Sequence, residues 1–261
     1  MFSFRQKHRQ AVQERPFPAE WLRVIEKNVP YFLLLTPDEQ VELQGLVQVF
    51  IDEKSFEGCG GLEMTDEIRV TIATQACILL LHRKTDDYPR LKSILVYPHP
   101  YHATGVHSVS GRLWTESDET RLGESWQTGA VVLAWDAVQG GAADVHDGHN
   151  VVYHEFAHQL DAEDGAVNGA PVLPQRSMYS TWARVLGAEY AQLIEETHQR
   201  HRTVLDEYGT QNPAEFFAVA TETFFEKPVQ LQQRHPELYE ELSLFYNQNP
   251  AVRFAVERTP Q

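Results

Sequence analysis

The chain has 261 residues, of which 42% are hydrophobic and 23% charged, enough apolar matter for one large core and too much for a disordered chain. Its 22 Lys and Arg stand against 37 Asp and Glu, and a net charge of −15 disfavours direct binding to nucleic acid or to an anionic membrane surface. With two cysteines, Cys59 and Cys77, and 12 histidines, any transition-metal site has to be built from nitrogen and oxygen ligands.

Residues 1–15 are polar and basic and read as a mobile N-terminal arm, with order starting at Pro16. They contain no apolar stretch of signal-peptide length. The longer apolar runs, Tyr31 to Leu35 and Ala76 to Leu81, are far too short to span a bilayer, so the expected compartment is the cytoplasm. Trp21 to Asn28 reads as a short helix stopped by Pro30. Thr36-Pro37-Asp38-Glu39 supplies a cap, a first-position proline and first-turn acids, and the helix it opens is expected to run to Glu53. Gly58-Cys59-Gly60-Gly61 breaks the chain, and Thr65-Asp66-Glu67 opens another helix that ends near His82.

Residues 16–90 are therefore expected to be mostly helical, and residues 91–147 to hold a small sheet. Ile94 to Tyr97 is strand-like before Pro98, Leu113 and Trp114 suit a short strand, and Gly129 to Asp136 gives the clearest strand signal. The segment Val131 to Trp135 is expected at a sheet edge, where an extended peptide could pair. Over residues 148–250 the chain turns helical again, in segments near Asn150–Ala162, Met178–Arg200, Pro213–Phe225 and Pro236–Asn247. A long loop from Gly165 to Pro174 separates the first two. The expected class is α+β, with residues 16–261 forming a single domain.

His154-Glu155-Phe156-Ala157-His158 is an H-E-x-x-H pattern. On a helix, Val152, Phe156 and Leu160 form an apolar stripe, while His154, His158 and Asp161 share the opposite face with Glu155 at its edge. Imidazoles one turn apart, about 5–6 Å between Cβ atoms, can converge on one ion. Glu155 then stands beside the ion, where a carboxylate can take a proton from zinc-bound water as it attacks a carbonyl and pass it to the leaving amine. A catalytic zinc wants a third protein ligand. Downstream, Asn212-Pro213-Ala214-Glu215 begins a helix on which Glu215, Glu222 and Glu226 share a face. Spacing does not choose between Glu215 and Glu222, and Glu215 also occupies the place that a capping box gives to glutamate. Asp161 suits a hydrogen bond to a ligand ring N–H. His99, His102 and His107 lack helical spacing and read as a loop near the cleft mouth, with His146 and His149 facing solvent.

These residues resemble a known family. His154-Glu-Phe-Ala-His-Gln-Leu-Asp161, the loop with Asp164-Gly165 and Asn168-Gly169-x-Pro171, and Tyr208-x4-Asn212-Pro-Ala-Glu-Phe-Phe-Ala218 are similar to the Mlc titration factor A family. The resemblance runs from about Trp21 to Pro250. It implies a zincin-like metallopeptidase fold akin to the lethal factor catalytic domain, with a small mixed sheet whose edge strand lies over the H-E-x-x-H helix. It also implies one zinc held by His154, His158 and Glu215, with Glu155 as general base and Tyr208 supporting the oxyanion. Val219 stands where the lethal factor pattern has a second glutamate, so that role is absent here or falls to Glu222.

The function so implied is zinc-dependent, aminopeptidase-like hydrolysis of short peptides, together with binding and sequestering of a Mlc-type glucose-regulated repressor. The alternative is a non-catalytic repressor-binding protein whose zinc site is structural or regulatory. The partners expected are thus a peptide substrate and a repressor protein, with neither nucleic acid nor membrane.

Overall fold

The computed structural model describes residues 4–83, 88–102, 107–109, 113–115, 120–121, 123–126 and 129–257. The chain opens with helices α1 (Phe4–Gln13), α2 (Ala19–Asn28) and α3 (Pro37–Glu53), strand β1 (Ser55–Gly58) and helix α4 (Asp66–Ile78). Seven strands follow: β2 (Ser93–Tyr97), β3 (Tyr101–His102), β4 (His107–Val109), β5 (Leu113–Thr115), β6 (Thr120–Arg121), β7 (Gly123–Trp126) and β8 (Ala130–Ala134). The remainder is helical: α5 (Trp135–Ala143), α6 (Val151–Asp161), α7 (Tyr179–His198), α8 (Pro213–Glu226), α9 (Pro228–Arg234), α10 (Pro236–Tyr246) and α11 (Pro250–Glu257). Among the described residues, no helix is long and apolar enough to cross a membrane.

The α+β character agrees with the sequence, and so do most helix starts. At α3, Thr36 and Glu39 form the reciprocal capping box, and Pro37 takes the first position. Two expectations are corrected. The arm expected over residues 1–15 is in large part helix α1: Val12 is buried, and Arg9 and Arg5 both bind Glu53 at the end of α3. The basic residues that look solvated in the sequence pair with acids 44 or more positions away.

The second correction concerns the sheet, whose order is β1-β2-β8-β7, the first three strands parallel and β7 antiparallel. The segment expected at an edge is β8, which lies between β2 and β7. It ends at Ala134, and Trp135 already begins α5. All five β8 residues are buried, as their unbroken apolar run Ala-Val-Val-Leu-Ala requires of an interior strand. Among the described strands, the edges of this sheet are β1 and β7.

A single cluster of buried apolar residues runs from Ile25 to Phe254 and draws on every layer. Val152, Phe156 and Leu160, the apolar stripe of α6, are all fully buried. Phe156 packs edge-on against Tyr88, with ring centroids 4.9 Å apart, and Tyr153 meets Phe225 of α8 at 5.3 Å. Helix α8 is buried at every position from Phe216 to Glu226. The sheet, α4 and α8 thus hold α6 rigidly from several sides.

Candidate metal centre

Helix α6 starts at Asn150, whose side-chain oxygen accepts from the N–H groups of Val152 and Tyr153. That is the usual work of an N-cap asparagine. Here the residue is also almost wholly buried, and its Nδ2 lies 3.0–3.1 Å from Gln75 of α4, the Gly141 carbonyl of α5 and Glu226 of α8. Its backbone N–H donates to Glu222 Oε2 at 2.6 Å. One asparagine therefore ties the start of α6 to three other helices.

One turn into α6, His154 lies between two carboxylates of α8. Its Nδ1 is 2.8 Å from Glu222 Oε1 and its Nε2 3.0 Å from Glu215 Oε2. His158 Nε2 stands 3.3 Å from both His154 Nε2 and Glu215 Oε2. The Glu215 side chain turns to the imidazoles. The cap of α8 is made by Asn212, which accepts from the N–H groups of Ala214 and Glu215. Glu222 faces the other ring nitrogen and is engaged by Asn150, so of the two glutamates it is Glu215 whose carboxylate gathers with both Nε2 atoms.

The donor set fits a divalent transition metal. Ligand atoms 2.0–2.1 Å from a tetrahedral ion lie roughly 3.3 Å from one another, and the three donor atoms here are separated by 3.0, 3.3 and 3.3 Å. Among the described residues, His154, His158 and Glu215 are the one group of three whose donor atoms gather in this way. The electrostatics agree. Burial disfavours charge on His154, but its hydrogen bonds to Glu215 and Glu222 outweigh burial and push the imidazole well above its ordinary value. Burial likewise opposes charge on Glu215, yet His154 and His158 hold its carboxyl below the usual range. The cluster is built around positive charge.

The neighbours sort as follows. Glu155 is 5% exposed, adjacent to His154 in α6 and outside the donor triplet. Tyr208 sits on the 3-10 turn Glu207–Thr210, half-exposed, with its ring edge-on to His154 at 5.8 Å. Asp161 does not bond an imidazole. Its Oδ2 accepts from the Gly169 N–H at 2.8 Å, while Asp161 Oδ1 and His158 Nδ1 are each buried without a partner. Asp161 thus clamps the Gly165–Pro174 loop. Gly169 has φ +77°, and a Cβ there would lie 2.4 Å from the Pro213 carbonyl oxygen, so only glycine lets this loop meet the start of α8.

His99 pairs with Asp136 at 3.1 Å on the surface and is not part of the triplet, and the side chains of His102 and His107 lie outside the described part of the structure. Gln75 and the bridging role of Asn150 were not singled out by the sequence. Asn150 appears there only as the start of a helical segment, and Glu226 only as sharing a face with Glu215 and Glu222.

Two imidazoles one turn apart on a buried helix, met by a carboxylate from a second helix, make a metallopeptidase-like centre. The chain belongs to the glucose-regulated metallo-peptidase M90 family, whose model matches residues 3–247. It is 42% identical over 240 residues to an uncharacterised protein of Synechocystis sp., covering 92% of this chain and 87% of that one. It is 32% identical over 230 residues to Mlc titration factor A of Klebsiella pneumoniae, covering 86% and 85% of the two chains. With Mlc titration factor A of Salmonella arizonae it shares 29% over 246 residues, 92% and 96% of each.

Proposed function

We propose that the protein is a zinc-dependent peptidase of zincin type that hydrolyses short peptides, acting in the manner of an aminopeptidase in the cytoplasm. The observation that carries this reading is the meeting of His154 Nε2, His158 Nε2 and Glu215 Oε2 within 3.0–3.3 Å of one another. One zinc per chain, held by these three residues, supplies Lewis acidity toward the scissile carbonyl and the attacking water.

The chain's own residues do the rest. Glu222 accepts from His154 Nδ1–H, which keeps the Nε2 lone pair aimed at the ligand cluster. Glu155 takes the proton of the attacking water and hands it to the departing amine. The Tyr208 hydroxyl donates to the oxygen on which negative charge develops. Strand β7, the sheet edge packed nearest α6, offers backbone groups to an extended substrate, in place of the β8 segment. Residues 16–261, together with α1, form the one domain on which this centre depends. Metal content by elemental analysis, with turnover of a peptide library by wild type and Glu155→Gln, tests the reading. Zinc with turnover in wild type, and zinc without turnover in the variant, is the expected result.

A second reading is favoured by the relatives named Mlc titration factor A. In it the protein also binds and sequesters a Mlc-type repressor, or does so alone around a structural or regulatory zinc. An acidic protein of net charge −15 suits a DNA-binding partner whose own surface is basic. Repressor binding that survives Glu155→Gln while turnover does not places the two functions on separate features of the molecule.

A further inference from the structure

A cavity of about 670 Å³ opens where the end of α7 and the loop after it meet the end of α9, and no residue of the metal centre lines it. Its walls carry Arg200, His201, Arg202, Arg234 and His235, with one acid, Glu196, among them. Three guanidiniums and two imidazoles in one pocket are unexpected in a chain of net charge −15. Among the described residues, neither Arg200 nor Arg202 has a carboxylate within ion-pair reach, and Arg234 touches only the Arg202 carbonyl, at 3.5 Å. The two acids at or beside the pocket, Glu196 in its lining and Glu189, each have a hydrogen-bond partner. Glu196 accepts from Gln192 at 2.8 Å, and Glu189 holds His235 Nδ1 at 2.7 Å.

The ordinary reason for basic side chains at this place would be the unpaired carbonyls at a helix end. It does not apply. The carbonyls of Glu195, Glu196 and Thr197 are already taken by the backbone N–H groups of Gln199, His201 and Arg200. Arg200 moreover holds the left-handed position, φ +55°, that glycine fills at less cost.

We propose that this pocket binds a small anion carrying a phosphate group. Forked guanidiniums match the oxygens of a phosphate, which carries more charge than a carboxylate and can engage several donors at once. The volume lies within the range of small-molecule sites. The net charge of −15 disfavours a long polyanion such as nucleic acid. The occupant would rest against Thr203 and Val204, in the segment that leads into the turn bearing Tyr208.

The test is isothermal titration of the full-length protein, as purified and at constant ionic strength, with inorganic phosphate and AMP. Adenosine and acetate serve as controls. Both phosphates should bind saturably and the controls should not. Binding should weaken at least tenfold in Arg202→Gln/Arg234→Gln, whose changes are on exposed side chains, since each removes a charge-assisted contact. It should persist in His154→Ala/His158→Ala, which excludes phosphate on the metal. The proposal fails if neither phosphate saturates below about 10 mM, if acetate binds as well as phosphate, if the arginine changes leave affinity intact, or if the histidine changes abolish it.

Discussion

His154 Nδ1 and Glu222 Oε1 are 2.8 Å apart, and the other oxygen of that carboxylate is held at 2.6 Å by the Asn150 N–H. Glu222 is therefore fixed at both oxygens, and its partner imidazole has little choice of tautomer. Glu222→Gln should keep a metal site but weaken it by about 10–100-fold. Glu215→Ala should abolish stoichiometric binding, because two imidazoles cannot make good the lost ligand. Competition with a chelator measures both, and the reverse ranking would move the third ligand to Glu222.

Glu155→Gln retains shape and gives up the proton acceptor. Metal content should stay near one per chain while peptide hydrolysis falls at least ~10²-fold. Wild-type turnover by this variant would remove Glu155 from the chemistry.

Tyr208, whose ring lies 5.8 Å from that of His154, should reveal itself through kcat rather than through affinity. Losing an oxyanion donor costs ~10²–10³-fold in rate, so Tyr208→Phe should depress kcat on that scale and leave the metal dissociation constant within error. A variant of undiminished kcat would make Tyr208 a packing residue.

Gly169→Ala places a Cβ where only 2.4 Å separates it from the Pro213 carbonyl, at φ +77°. The expected cost is roughly 1–3 kcal/mol, read as a lowered unfolding midpoint in urea. Metal affinity should fall with it, because the displaced segment is the start of α8, which carries Glu215. A neutral substitution would mean that the loop yields instead of the helix.

Acid should weaken the packing around Glu39 and Glu53. Glu39 is lowered from 4.5 to about 2: burial acts to raise it, but hydrogen bonds from Arg253 and His82 prevail. Glu53 falls to about 2 chiefly through Arg9, with Arg5 assisting against burial. Both are depressed in the folded state, so their stabilisation is complete above about pH 4.5 and drains away as the pH falls toward 2. Urea denaturation between pH 7 and 3 should show this slope, and Glu39→Gln/Glu53→Gln should flatten it. An unchanged slope would assign the acid sensitivity to other carboxylates.

The helices with strong start signals were legible because their caps are local. Thr36, Thr65, Asn150 and Asn212 each bond to N–H groups two or three residues ahead. The histidine pair was legible for the same reason, one turn of one helix. Contacts between distant segments left no such mark. Nothing beside Arg5 or Arg9 announces Glu53, so α1 passed for a solvated arm. The place of β8 inside the sheet depends on β7, whose Gly-Glu-Ser-Trp has no strand pattern to read. Asp161 was paired by proximity in sequence with His158, but it bonds to Gly169 across the loop.

Asn150 gathers Gln75, Gly141, Glu222 and Glu226, groups that the ribosome delivers over most of the length of the chain. Until α8 has emerged, His154 has neither of its carboxylates and the cap of α6 lacks two of its partners. A nascent or truncated chain that ends before Pro213 thus contains the whole H-E-x-x-H pattern and still has no centre. The donor triplet assembles only once α8 is in place, so a chain that stops short of α8 carries the motif without the cluster.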